Sequence, residues 1–327
     1  MRAFDYMRAE RVDDAIAALA DPNTRCLAGG TNLLDLMKGY VEQPTRLVDI
    51  TRLPLRDIVA LPGGGLRIGA LVSNTDLAND RNVRERYPLL AQALVSGASP
   101  QLRNMASVGG NLLQRTRCHY FTDVGFDACN KRKPGSGCAA REGSNRIHAI
   151  LGASDRCIAV HPSDMCVALA ALDAVVETQS RSGTRRIPLR EFHRLPGTTP
   201  ERDTELRGDE LIVAVSLPPS SFADHCRYLK VRDRASYEFA LVSVAAALEM
   251  DGERVRDVRI ALGGVAHKPW RALRAEQALV GRALDDAALA AAASAATEGA
   301  RPYRDNAFKV TLAQRAVARA LREAASA

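Results

Sequence analysis

Aromatic residues and long apolar runs are both scarce in this chain of 327 residues. Phe, Tyr and Trp make up 5% of it, with a single Trp, too few to build the stacking platforms of a single-stranded nucleic-acid groove. Lys and Arg exceed Asp and Glu by 7. That excess permits an acidic partner, but the dense basic tracts of a nucleic-acid arm are missing. No uncharged apolar stretch approaches the roughly 18 residues of a spanning helix, so no membrane span is expected. The opening residues, Met1-Arg2-Ala3-Phe4-Asp5-Tyr6, hold no apolar signal core, and the chain is expected to carry no export signal of its own. His119, His148, His161 and His193 show no metal-ligand spacing, and none has an evident Ser or Cys nucleophile for a partner. No hydrolytic site and no catalytic residue follows from them.

Hydrophobic residues make up 46% of the chain, enough for a packed interior and for two domains. Val12 to Leu19 has helical spacing and Arg46 to Ile50 reads as a short buried strand, which is α/β patterning. Ser73 to Asp76 caps a helix from Leu77, another helix follows from Leu89 to Gly97, and Ser163 and Asp164 open the apolar helix Met165 to Leu172. Residues 181–209, rich in Arg, Pro, Gly and Thr, are the best candidate linker, placing a first domain at 1–180 and a second at 210–327. The strand-like runs Glu210–Leu217, Cys226–Arg232, Ala240–Glu249 and Arg254–Leu262 predict an antiparallel meander, and the alanine-rich remainder is helical. An α/β first domain and an α+β second domain are expected, α+β overall.

Two glycine turns stand out. Cys26-Leu27-Ala28 runs into Gly29-Gly30-Thr31-Asn32 and a helix from Leu33, and Ser107-Val108-Gly109-Gly110-Asn111 repeats the small, polar, glycine-rich pattern. A glycine turn feeding a helix exposes backbone N–H groups around a concavity and favours a phosphate, and two such turns suit a pyrophosphate. Neither turn fits G-x-G-x-x-G or G-x-x-x-x-G-K-[ST], which argues against a Rossmann site or a P-loop.

Five of the seven cysteines fall between Cys118 and Cys166, and regular patterning stops from 115 to about 157. A structureless stretch of that length is functional or is held by something other than a hydrophobic core. In a reducing compartment, clustered thiols hold metal or do redox work more often than they form disulfides. Cys118, Cys129, Cys138 and Cys157 are separated by 10, 8 and 18 residues, which matches no zinc-finger spacing. Scattered buried thiols are the plain alternative. Residues 115–160 carry eight basic side chains against four acidic ones, a net +4, which would offset a cubane bearing four thiolates at about −2.

The chain resembles the flavin-binding medium subunits of molybdenum hydroxylases, the xanthine dehydrogenase and carbon monoxide dehydrogenase family. The resemblance rests on Ala28 to Leu33, Asn104 to Leu112, Pro162-Ser163-Asp164 and Gly263-Gly264-Val265-Ala266. Within that family it is most similar to FAD subunits of bacterial aldehyde oxidoreductases that carry an additional cysteine-rich loop, through Gln114 to Cys118, Ala128 to Arg132, Pro134 to Ala140 and Cys157 to Ala159. The resemblance implies a vanillyl-alcohol-oxidase-type FAD-binding domain of two α/β subdomains, followed by a smaller domain of antiparallel sheet plus helices. It implies FAD held by Cys26 to Leu33 and Ser107 to Asn111, with contacts from Asp164, Ile212 and Lys230, the last beside the isoalloxazine. It also implies a [4Fe-4S] cluster on Cys118, Cys129, Cys138 and Cys157.

The resemblance further implies a heterotrimer with a molybdopterin-binding large subunit, which would oxidise aldehydes, and a [2Fe-2S] small subunit that relays electrons to this flavin for an external acceptor. Residence would be cytoplasmic, or periplasmic if the complex were exported folded on a partner's signal. Bland roles stand beside these: Asp164 as a helix-start residue, Lys230 as an exposed strand lysine, and Cys26, Cys166 and Cys226 as core. A freestanding flavin oxidase of the same fold is one alternative function, and an iron–sulfur protein binding nucleic acid is another.

Overall fold

The computed structural model describes residues 1–327. A three-stranded parallel sheet opens the chain, with Arg46–Asp49 between Asp5–Arg8 and Thr24–Leu27. Its crossover segments, Val12–Ala18 and Leu33–Lys38, are the expected helices. A five-stranded antiparallel sheet follows in the order Ile58–Ala60, Leu66–Gly69, Leu211–Leu217, Val175–Ser180, Gly183–Pro188. The helices Asn74–Asn79, Pro88–Ser96 and Asp164–Ala171 contribute to the core of this second subdomain. The third sheet is an antiparallel meander, Cys226–Val231, Val242–Asp251, Arg254–Gly263 and Trp270–Arg271. It shares a core with Leu273–Leu279, Asp286–Ala296 and Phe308–Ala325. This is the expected α+β architecture. No helix is long and apolar enough to cross a membrane.

The division of the chain departs from the composition in one place. Within the expected linker 181–209, Gly183–Pro188 is an edge strand with Arg186 exposed and Arg185 paired with the buried Glu210, and Leu211–Leu217 belongs to the first domain's sheet and not to the meander. All seven residues of that strand are buried. Leu211 and Val213 pack with the parallel-sheet core, while Ile212, Val215 and Leu217 enter the larger core, so one strand joins the two subdomains. An apolar run identifies a buried strand but not its neighbour, and here the first domain extends through Leu217.

From 115 to 157 the only helix is His119–Thr122. Side chains reaching backbone groups hold the rest. Arg132 donates to the carbonyls of Tyr120, Phe121, Asp123 and Phe126. Asn130 donates to the carbonyl of Arg156 and accepts from the N–H of Gly137, both at 2.9 Å. The loop's exit is fixed from the far end of the chain, where Lys309 donates to the carbonyls of Ile147, His148 and Gly264.

Candidate functional site

The two glycine turns face one another across a cleft of about 530 Å³. Cys26, Leu27, Ala28, Gly29, Gly30, Thr31, Asn32, Leu33, Ser107, Gly109, Gly110 and Ile212 all line it. The turns do different work. The backbone N–H groups of Gly29, Gly30, Thr31 and Asn32 have no acceptor in the protein, and the buried Nδ2 of Asn32 is also without a partner. The second segment, expected as a turn, is a short helix, Val108–Leu112, capped by Ser107, and every N–H from Val108 to Asn111 is satisfied internally: Val108 to Val72, Gly109 to Ala70, Gly110 to the Ser107 hydroxyl and Asn111 to the Ser107 carbonyl. The first turn thus offers free donors to an anion, and the second segment supplies another part of the cleft wall.

The glycines divide in the same way. A Cβ on Gly29 would lie 1.7 Å from the carbonyl oxygen of Met105, so this residue is glycine because the two turns pack backbone against backbone. Gly30 has φ +73°, a conformation that side chains disfavour. A Cβ on Gly110 would meet only the Ser107 hydroxyl, at 3.0 Å, and would otherwise enter the cleft. Val108 does not line the cleft but is packed in the core, and Asn111 turns toward the hydroxyl of Ser163 at 2.7 Å and toward Gln114.

A smaller cavity of about 250 Å³ shares His161 with the cleft and is lined by Arg117, Ser163, Asp164, Phe239, Gly263 and Gly264 among others. Asp164 is a helix-start residue, capped by Ser163, and also the centre of a buried polar group. Its carboxylate accepts from the Tyr228 hydroxyl at 2.7 Å and from Lys230 Nζ at 2.8 Å. Lys230 is therefore no exposed strand lysine: its side chain is 4% exposed, its charge is matched by Asp164, and it lines neither cavity. Sequence spacing missed a third cluster, because His161, His193 and Cys166 come from separate segments. Their ligand atoms lie within 4.8 Å of one another. Nδ1 of His161 accepts from Ser163 N–H and Nε2 of His193 donates to the Leu112 carbonyl. That leaves Nε2 of His161 and Nδ1 of His193 buried without a hydrogen-bond partner, with the two rings edge to face at 4.4 Å.

Cys118, Cys129, Cys138 and Cys157 line one small void with Phe121, Ala140 and Ala159. All seven thiols are free, and burial pushes Cys118 up to about 12 and Cys157 up to about 11. Much of the loop's positive charge is structural. Arg115 pairs with Glu42 and Asp203, and Lys131 donates to Asp203, to the carbonyl of Pro200 and to Nε2 of His267. Cys26, Cys166 and Cys226 lie apart from the four. Cys166 and Cys226 are buried in the main core, and Cys26 lines the cleft.

Residues 2–220 match the family model for the FAD binding domain in molybdopterin dehydrogenase, and residues 227–324 match the carbon monoxide dehydrogenase flavoprotein C-terminal domain. The chain is 52% identical over 99% of both lengths to the aldehyde oxidoreductase FAD-binding subunit PaoB of Escherichia coli K12. It is 30% identical to the glyceraldehyde dehydrogenase medium chain of Sulfolobus acidocaldarius, over 93% of this chain and 90% of that one. Among solved structures, carbon monoxide dehydrogenase from Hydrogenophaga pseudoflava superposes with a TM-score of 0.78 at 29% identity, covering 99% of this chain and 98% of that chain. With both domains matched in order, this chain belongs to the FAD-binding subunits of the molybdenum hydroxylase family, oxidoreductases of the xanthine dehydrogenase type.

Proposed function

We propose that this chain is the FAD- and [4Fe-4S]-carrying electron-transfer subunit of a molybdenum-dependent aldehyde oxidoreductase, assembled with a molybdopterin-binding large subunit and a [2Fe-2S] small subunit. The observation that carries the reading is the row of unpartnered N–H groups at Gly29 to Asn32 facing the open side of Gly110, in a chain 52% identical to an aldehyde oxidoreductase FAD-binding subunit. The Gly29–Asn32 turn binds the pyrophosphate, Ser107 and Gly110 close over it, Ile212 bounds the same cleft, and the flavin end passes His161 toward Asp164. Lys230 acts there through Asp164, fixing the carboxylate that accepts from the flavin's hydroxylated chain.

Bound FAD supplies the exchange between one-electron carriers and an external acceptor. Cys118, Cys129, Cys138 and Cys157 hold the cluster, with the hydrophobic wall of Phe121 and Ala140 keeping water from it. No side chain of this subunit oxidises the substrate; aldehyde binds on the molybdopterin subunit. The complex resides in the cytoplasm, or in the periplasm if a signal-bearing partner exports it folded.

Metal and flavin analysis of the complex purified without oxygen tests the reading. One acid-releasable FAD and about four irons assigned to this chain are expected. A single tightly bound zinc would overturn the cluster, and aldehyde oxidation by this chain free of molybdenum would overturn the subunit role.

A further inference from the structure

The smaller cavity has an unbalanced charge. Three carboxylates line it, and each has a cation of its own: Asp164 with Lys230 at 2.8 Å, Asp233 with Arg146 at 2.8 Å and Glu238 with Arg234 at 3.1 Å. Arg117 lines the same cavity and takes part in none of the ion pairs. Its Nε is buried without a hydrogen-bond partner, and its guanidinium lies 5.2 Å from the centroid of the Phe239 ring. The residue is half-buried, and a guanidinium whose Nε lacks a partner inside the cavity wall is matched by an anion entering the cavity.

We propose that Arg117 is the cation against which the flavin ring sits, stabilising the negative charge that reduction places on the N1–C2 carbonyl edge of the isoalloxazine. The inference rests on the reading that FAD passes His161 into the smaller cavity. Lys230 cannot supply this charge, since Asp164 already neutralises it. Arg117 presents a planar fork of donors that matches the flat, delocalised anion. It also directly precedes Cys118, so the same residue that faces the flavin leads into the cysteine loop.

The test measures the flavin midpoint potential of the intact complex by dye-linked titration, with wild type, Arg117→Gln and Arg117→Lys side by side. In Arg117→Gln the potential should fall by about 30 mV or more, the equivalent of a tenfold change in a two-electron equilibrium, while Arg117→Lys should stay near wild type. An unchanged potential in the Gln variant overturns the proposal. If the Gln variant fails to hold FAD, the Lys variant decides: a potential lowered by 30 mV or more with the charge retained also overturns it. Ala240→Trp separates this from the placement of the ring, because Ala240 lines the same cavity. A flavin absorption and fluorescence spectrum untouched by that indole means that the ring lies elsewhere. A changed spectrum with an unmoved potential in Arg117→Gln means that only the role of Arg117 fails.

Discussion

The glycine-lined cleft and the cysteine loop are neighbours in sequence, joined by the few residues between Asn111 and Cys118, yet they are built by opposite means. The cleft is made of backbone: strand ends, helix starts and glycines set by main-chain contacts such as Gly29 against Met105. The loop is made of side chains, with Arg132, Asn130, Lys131 and Lys309 tying down carbonyls that no helix or strand satisfies. A site of the first kind is preformed and tolerates many side-chain exchanges. A site of the second kind depends on each member, and on whatever its thiols bind.

The comparison breaks most visibly at the cysteines. Cys118→Ser, Cys129→Ser, Cys138→Ser and Cys157→Ser should each lose iron and open residues 115–157 to limited proteolysis, whereas Ser at Cys26, Cys166 or Cys226 should leave both unchanged apart from a packing cost. Protease resistance retained in all four variants would show that the loop stands without metal. Next in size is Gly29→Ala, where the added carbon meets a carbonyl oxygen at 1.7 Å. Separating the two turns should cost about 3 kcal/mol of stability and abolish FAD binding, read by denaturant titration and flavin content. A variant with unchanged stability would show that the turns are less tightly packed than described.

Lys309→Met takes a donor from three carbonyls at once, of which only that of His148 keeps Asn306 as a side-chain donor. It should destabilise by about 2 kcal/mol, and hydrogen exchange should rise at Ile147 and His148 before it rises in the cleft. Gly110→Val sharpens the other side of the comparison, lowering FAD affinity about tenfold, or ~1.4 kcal/mol, with the apoprotein melting point unmoved. An equal loss of fold would place Gly110 in the packing and not at the ligand.

The smallest effect is one of pH. Burial holds His193 and His267 down at about 4, and His267 accepts from Lys131, so protonating it would set two cations 2.8 Å apart. Between the unfolded value near 6.5 and about 4, the unfolded chain binds more protons, so stability falls as pH falls through that window. From pH 7 to 6 the loss should stay under about 1 kcal/mol per imidazole, and His267→Gln should flatten the melting-temperature slope.

How far the sequence was legible follows the same division. Glycine turns, helix caps and apolar strands announce themselves locally, so the first turn and the helix after Ser163 stand where spacing placed them, while the second glycine pattern, expected as a turn, is a short helix, Val108–Leu112, capped by Ser107. Partners distant in sequence do not. The strand Leu211–Leu217 reads as well in one sheet as in the other until its neighbours, Leu66–Gly69 and Val175–Ser180, are seen. Lys230 and Asp164, 66 residues apart, carry no sign of their pairing. Nor do His161 and His193, and Arg117 stands out only once its neighbours' charges prove to be matched elsewhere.

The Lys309 clamp also has a bearing on the order of events during synthesis. His148 and the lysine that holds its carbonyl are 161 residues apart, and Asn306 donates to the same carbonyl. While the ribosome is still making the last helix, the cysteine loop has its thiols but not the fastening at its exit. Domains emerge and fold from the N-terminal end first, so the cleft can take shape around its strands long before the loop can close. The closing of the loop is therefore a step for the finished chain, and a polypeptide released short of residue 309 lacks the lysine that holds those carbonyls.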